Sequence, residues 1–192
     1  MHADLVLVCH ASTAAVRSAS FPAGESLDPQ GEADAVAASV AIGALRPARL
    51  CCAPSPAARQ TAAALALEAG LRPTVERAIR DCDFGRWSGR PMGEVARDEP
   101  DAFSSWMSEA DSRPHGGESL VDLLRRVGEW VDSCCTLHGT TVAVTHPAVV
   151  RAAIVHAIEA APAAFWHLDL GPLSRTWLRG NGSRWTLRSL RD

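Results

Sequence analysis

Apolar residues in this chain gather in two kinds of block: short unbroken runs, and longer stretches at helical spacing. Leu5-Val6-Leu7-Val8 is a run of four branched side chains, the pattern of a strand buried on both faces of a sheet. It stops at Cys9-His10, before the small residues Ala11-Ser12-Thr13. Arg49-Leu50-Cys51-Cys52-Ala53 predicts a second short strand and Thr74 to Ile79 a third. Thr141-Val142-Ala143-Val144-Thr145 predicts another buried strand, which also stops at a histidine, His146. Trp166 to Leu170 and Thr176 to Leu178 read as strands as well, and Asn181-Gly182 as the tight turn into a last one, Arg184 to Leu190.

Helical patterns fill the gaps. Asp28-Pro29 supplies an N-cap and a first-turn proline, and Ala33, Val36, Ala37, Val40, Ala41 and Ala44 keep helical spacing down to Leu45. Pro54-Ser55-Pro56 opens an alanine-rich helix that runs to Gly70. Ser119 and Asp122 form a capping-box pattern ahead of an amphipathic helix with Leu120, Leu123, Leu124, Val127 and Val131 on one face. Pro147 suits the first position of a helix through Val150, Ile154 and Ile158. The segment from Pro91 to Pro114, carrying Val95, Phe103, Trp106 and Met107, reads as a helical excursion above the sheet rather than a second domain. Strands alternating with helices predict an α/β fold with right-handed crossovers and a mainly parallel sheet, in one domain over 1–192.

Composition narrows the partners. The chain has 192 residues, 47% of them hydrophobic, and a net charge of −3, so neither nucleic acid nor a membrane surface is an expected general partner. Every basic residue apart from histidine is arginine, so an anion site must be built from Arg, His or backbone N–H groups. The six cysteines form no Cys-x-x-Cys pair and read as buried free thiols, with no metal-ligand spacing among them. The N-terminus lacks the basic region of a secretory signal, and no stretch has the length of a membrane span, so a cytoplasmic location is expected.

The chemistry gathers where strands end. His10 and His146 each close a buried strand, the edge at which open α/β sheets place ligands. If the two strands are neighbours, the imidazoles face one another beside the N-terminus of the helix that Pro147 opens. Proline has no N–H, so the donors there begin at Ala148.

Five segments in this order resemble the histidine phosphatase superfamily (phosphoglycerate mutase-like proteins). Cys9-His10-Ala11 matches its opening Arg-His-Gly. Cys52 to Ala62, ending Arg59-Gln60-Thr61-Ala62, matches its Ser-Ser-Pro segment and the helix that follows. Asp81 stands four residues before the Gly of Phe84-Gly85-Arg86-Trp87-Ser88-Gly89. His115-Gly116-Gly117-Glu118-Ser119 matches Pro-Gly-Gly-Glu-Ser, and Thr145-His146-Pro147 matches Ser-His-Gly. The resemblance implies a three-layer α/β/α fold and hydrolysis of a small phosphorylated substrate without metal or cofactor. His10 would take the phosphoryl group, Asp81 would give the leaving oxygen its proton, and His146 would stabilise the phosphoryl oxygens. Asp83 is the competing acid, disfavoured by its spacing to Gly85.

The resemblance also implies two pocket arginines that this chain does not plainly supply. The first aligns with Cys9. The second aligns with Ala57 in an ungapped match, or with Arg59 if Ser55-Pro56 sets the register, and the phosphate-binding set adopted is Arg17, Arg59 and Ala148. Arg86 and Arg151 are further candidates. Cys9, Trp87 and His115 are expected to line the substrate entrance. A thiolate nucleophile at Cys9 has no acid partner and gives way to a buried structural thiol. The alternative to a phosphatase is a degenerate member that binds a phosphorylated ligand or partner with little turnover. The oligomeric state cannot be read from the sequence.

Overall fold

The computed structural model describes residues 2–182 and 184–191. Its sheet has β1 (Ala3–Cys9), β2 (Arg49–Cys52), β3 (Thr74–Val75), β4 (Gly139–Thr145), β5 (Arg175–Gly180) and β6 (Trp185–Arg191), in the order β3-β2-β4-β1-β5-β6. The first four run parallel, and β5 pairs antiparallel with both β1 and β6. The most central strands are the two unbroken apolar runs. Leu5, Val6, Leu7 and Val8 on β1, and Val142, Ala143 and Val144 on β4, are all at most 2% exposed. Each fully buried Val or Leu contributes about 1.5–3 kcal/mol, which fixes these two strands side by side at the centre.

The helices are α1 (Ala14–Arg17), α2 (Pro29–Gly43), α3 (Pro56–Ala69), α4 (Met92–Asp98), α5 (Pro100–Ser108), α6 (Leu120–Cys134) and α7 (Pro147–Ala157). From β1 the chain crosses through α2 to β2 and through α3 to β3, moving one way along the sheet; it returns through α6 to β4. Right-handed crossovers therefore put α2 and α3 on one face and α6 on the other, and the packing of α2 on α3 and of α6 on α7 agrees. The chain leaves β1 and β4, which are neighbours, towards opposite faces. Their carboxyl ends form the switch point at which such sheets hold ligands.

Several sequence expectations need correction. Trp166 to Leu170 is not a strand: residues Pro162–His167 form a 3₁₀ turn, with Phe165 buried against the core. The third strand is only two residues long, followed by a 3₁₀ turn at Arg77–Ile79. In α2 the apolar stripe read from the sequence faces outward, with Val36 53% and Val40 67% exposed. The buried side is Gly31, Ala35, Ser39 and Ile42. Small residues are needed there because the helix start lies against the loop after β1: a Cβ on Gly31 would meet Ser12 O at 2.2 Å. No helix among the described residues is long and apolar enough to cross a membrane.

Candidate active site

β1 and β4 pair in register up to Cys9 and Thr145, and the His10 N–H donates to Thr145 O at 2.8 Å. Both strands thus end at one level, and the two histidine rings stand edge to face, 4.9 Å between centroids with a 71° interplanar angle. Both side chains are nearly buried, His10 at 7% and His146 at 4% exposure. His10 Nδ1 lies 2.8 Å from the Ala11 carbonyl. A carbonyl only accepts, so Nδ1 carries the proton and Nε2 carries the lone pair. Burial, reinforced by the nearby His146, pushes the His10 pKa below its ordinary 6.5, which favours the neutral ring.

The loop after His10 is fastened by the Gln60-Thr61 pair. Ala11 N–H donates to Thr61 Oγ1 at 3.0 Å, and Leu27 N–H to Gln60 Oε1 at 2.8 Å. Asp28, which caps α2, also accepts from Ser12 Oγ at 2.8 Å. These bonds hold His10 against α2 and α3.

Asp81 arrives on the loop after β3. Its Oδ1 accepts from the Cys82 N–H at 2.8 Å, and its Oδ2 stands 3.1 Å from His146 Nδ1, a close but poorly aligned contact. Desolvation pushes the Asp81 pKa up, but His146, the Cys82 N–H and His10 together outweigh it and hold the carboxyl below the usual range. The segment is clamped by Arg126 of α6. Its guanidinium makes a two-toothed pair with Glu118 at 2.8 and 2.7 Å and donates to the carbonyls of Ala78, Arg80 and Asp81. Thr145 Oγ1, fully buried, donates to Ile79 O and ties the same loop to β4.

The glycine motifs serve this loop by close packing. A Cβ on Gly117 would meet Asp83 O at 2.0 Å, and one on Gly85, whose φ is +49°, would meet His115 O at 2.2 Å. The two segments therefore lie backbone to backbone, with Glu118 N–H donating to Asp83 O. Asp83 itself turns away and accepts from the Gly85 N–H at 2.9 Å.

Ser55 completes the centre, and its part was missed in the sequence reading. It caps α3, its Oγ accepting from the Ala58 N–H, and the same oxygen lies 3.0 Å from His146 Nε2. In the tautomer that carries its proton on Nδ1, on the side of Asp81, His146 would accept from the Ser55 hydroxyl through Nε2.

His10, Ser55, Asp81, His146, Ala148 and Arg151 line one cavity of about 540 Å³. Much of its remaining wall is apolar, with Phe84, Trp106, Phe165, Trp166 and Leu170 among the lining side chains. Arg17 and Arg59 do not line it. Arg17 pairs with Asp28 at 3.3 Å, and Arg59 is exposed on α3; Ala57 faces the cavity instead. Cys9, Trp87 and His115 also lie behind the wall rather than on it. Trp87 is fully buried and His115 is 2% exposed, their rings 5.0 Å apart. Burial pushes the Cys9 thiol up to about 11, far from a thiolate. Arg86 is held by Glu99 and the Pro114 carbonyl. The arginines on the cavity wall are Arg80, paired with Glu118, and Arg151, whose guanidinium lies 5.7 Å from the Phe165 ring. No cluster of three potential metal-ligating side chains occurs among the described residues.

The family model for the histidine phosphatase superfamily (branch 1) matches residues 5–192. The chain belongs to that superfamily. A glucosyl-3-phosphoglycerate phosphatase of Mycobacterium tuberculosis is 30% identical over 166 residues, covering 81% of this chain and 74% of the relative. A bifunctional protein of the same organism is 31% identical over 121 residues, but the chain spans only 33% of that relative's length. Among solved structures, a mycobacterial glucosyl-3-phosphoglycerate phosphatase complexed with VO3 superposes with a TM-score of 0.87 at 27% identity, covering 96% of each chain. The superfamily's fold accounts for the sheet order.

Proposed function

We propose that this protein hydrolyses a phosphomonoester through a phosphohistidine on His10. The observation that carries this reading is the His10 ring itself. Its Nδ1–H is spent on the Ala11 carbonyl, so the Nε2 lone pair belongs to the cavity that also holds His146. Attack by Nε2 on phosphorus breaks the bond to the leaving oxygen, which takes its proton from Asp81. Water then hydrolyses the phosphohistidine with Asp81 as base. His146 and the Ala148 N–H at the start of α7 stabilise the phosphoryl oxygens, and the cation comes from Arg151, which lines the cavity where Arg17 and Arg59 do not.

The wall chemistry supports an apolar or aromatic alcohol as the group carrying the phosphate, unlike the sugar-acid substrate for which the mycobacterial relative is named. The absence of an arginine at positions 9 and 57 favours one second reading, in which the site binds a phosphorylated ligand with little turnover.

Phosphate release from an aryl phosphate in the presence of a chelator tests the first reading. His10→Ala is expected to lower kcat/KM on the order of 10⁴-fold, and rapid quenching of the wild type should trap an acid-labile phosphoryl group on His10. An inert wild type that still binds phosphate would favour the second reading.

A further inference from the structure

Ser55, His146 and Asp81 stand in an order that the phosphohistidine reaction does not use. Ser55 Oγ is 3.0 Å from His146 Nε2, and His146 Nδ1 is 3.1 Å from Asp81 Oδ2. A nucleophile-bearing hydroxyl, an imidazole, and a carboxylate on the imidazole's far nitrogen are the geometry of a hydrolytic triad, which is recognised by roles rather than by sequence position. Helix capping explains only the bond that Ser55 Oγ accepts from Ala58 N–H. It leaves unexplained why the same hydroxyl lies within hydrogen-bonding reach of a nearly buried imidazole.

We infer that Ser55, His146 and Asp81 form a second catalytic set in this cavity, acting on carboxylic esters with an apolar acyl or alkyl group. Ser55 Oγ attacks the carbonyl carbon while its proton passes to His146 Nε2. The tetrahedral adduct collapses, the C–O bond to the alcohol breaks, and the alkoxide leaves with the proton from His146. A water molecule gives its proton to His146 and attacks the acyl-serine. The carboxylic acid departs, and the proton on His146 returns to Ser55. Water is the only co-reactant.

The surroundings fit this chemistry. Pro56 and Pro147 have no N–H, so the donors at the first turns of α3 and α7 begin at Ala57 and Ala148, and both residues line the cavity. The cavity residues flanking Ser55 and His146 in sequence, Pro54, Ala57, Pro147 and Ala148, are uncharged, and the cavity's arginines are Arg80, paired with Glu118, and Arg151. Asp81 is anchored by the Cys82 N–H, and its loop by Arg126. The poor alignment of the His146–Asp81 contact is of the kind that tightens once substrate is bound. The inference does not depend on the phosphohistidine reading.

The test follows 4-nitrophenyl butyrate hydrolysis alongside phosphate release from an aryl phosphate, together with labelling by an alkyl fluorophosphonate mapped by peptide mass spectrometry. The expected results are ester turnover, an adduct on Ser55, and loss of both in Ser55→Ala. Ser55→Asn keeps a side chain able to cap α3, so it separates a lost nucleophile from a damaged helix. It is expected to lose ester turnover on the order of 10³-fold while its melting curve stays close to that of the wild type. His10→Gln is expected to lose phosphate release and keep ester turnover. Absence of ester turnover in the wild type, an adduct on His10 instead of Ser55, or ester turnover surviving in Ser55→Asn would each overturn the triad and leave the phosphatase reading standing.

Discussion

The two reactions proposed for the cavity ask opposite things of Asp81, and its protonation would decide between them. Phosphate-ester cleavage needs the carboxyl protonated as donor; ester cleavage needs it ionised as the partner of His146. The groups facing it are His146 at the start of α7, His10 at the end of β1, and the Cys82 N–H on its own loop, while Arg126 of α6 binds its backbone carbonyl. Together they hold its pKa below the ordinary carboxylate range. The protonated fraction in the free enzyme therefore falls as pH rises. His10, also held low by burial, stays neutral and nucleophilic further into acid than a free imidazole. With both shifts downward, kcat/KM for a phosphomonoester is expected to peak on the acid side of 6.5 and fall with rising pH, while ester turnover persists where phosphatase activity fades. Parallel pH profiles, corrected for ionisation of the substrate phosphate, check this. A phosphatase profile that rises from about pH 5 to about pH 8 would remove Asp81 as the proton donor.

At the level of elements, the loop that carries Asp81 depends on a helix distant from it in sequence. Arg126 and Glu118 are both largely buried, with side chains 13% and 8% exposed, and Arg126 also satisfies three loop carbonyls. Arg126→Ala leaves Glu118 buried without its main partner, a change that costs about 3–5 kcal/mol. Chemical denaturation should show that loss, together with a fall in phosphatase kcat; a change below about 1 kcal/mol would mean that the clamp is not structural. The clamp was not legible in the sequence, because the pairing arises only once α6 lies beside the loop after β3. What the sequence did reveal were local patterns: the two apolar runs, the histidines ending them, the caps at Asp28 and Ser119, and the acid before Phe84-Gly85. Ser55 was legible only as part of the segment that opens α3 and not as a neighbour of His146, since that contact requires β2 to lie beside β4. The stripe on α2 misled for a related reason. Its apolar residues are small and the loop after β1 comes very close, so the side that packs is the one with the least bulk, not the one with the most apolar surface.

Across the whole molecule, the cavity is a joint product of segments far apart in the chain. The sheet edge provides His10 and His146, α3 provides Ser55, the excursion of α4 and α5 brings Met92 and Trp106, and the 3₁₀ turn at 162–167 brings Phe165 and Trp166. Trp166 packs edge-on against Trp106, 4.8 Å between centroids, so the excursion meets the C-terminal part of the chain across the opening. In the proposed phosphatase reaction the apolar wall contacts the group that leaves. Binding energy gained there is the same in the ground state and in the transition state, so its loss belongs in KM. Trp166 is only partly buried, so Trp166→Ala removes wall surface without opening the main core. Loss of about 1.4 kcal/mol of aromatic contact corresponds to a tenfold weaker KM for an aryl phosphate, with kcat little changed. A small polar phosphomonoester such as glycerol phosphate does not reach the wall, and its KM is expected to stay constant. If Trp166→Ala lowers kcat for both substrates and leaves both KM values alone, the wall positions catalytic groups instead of selecting the alcohol, and the apolar substrate class falls with it.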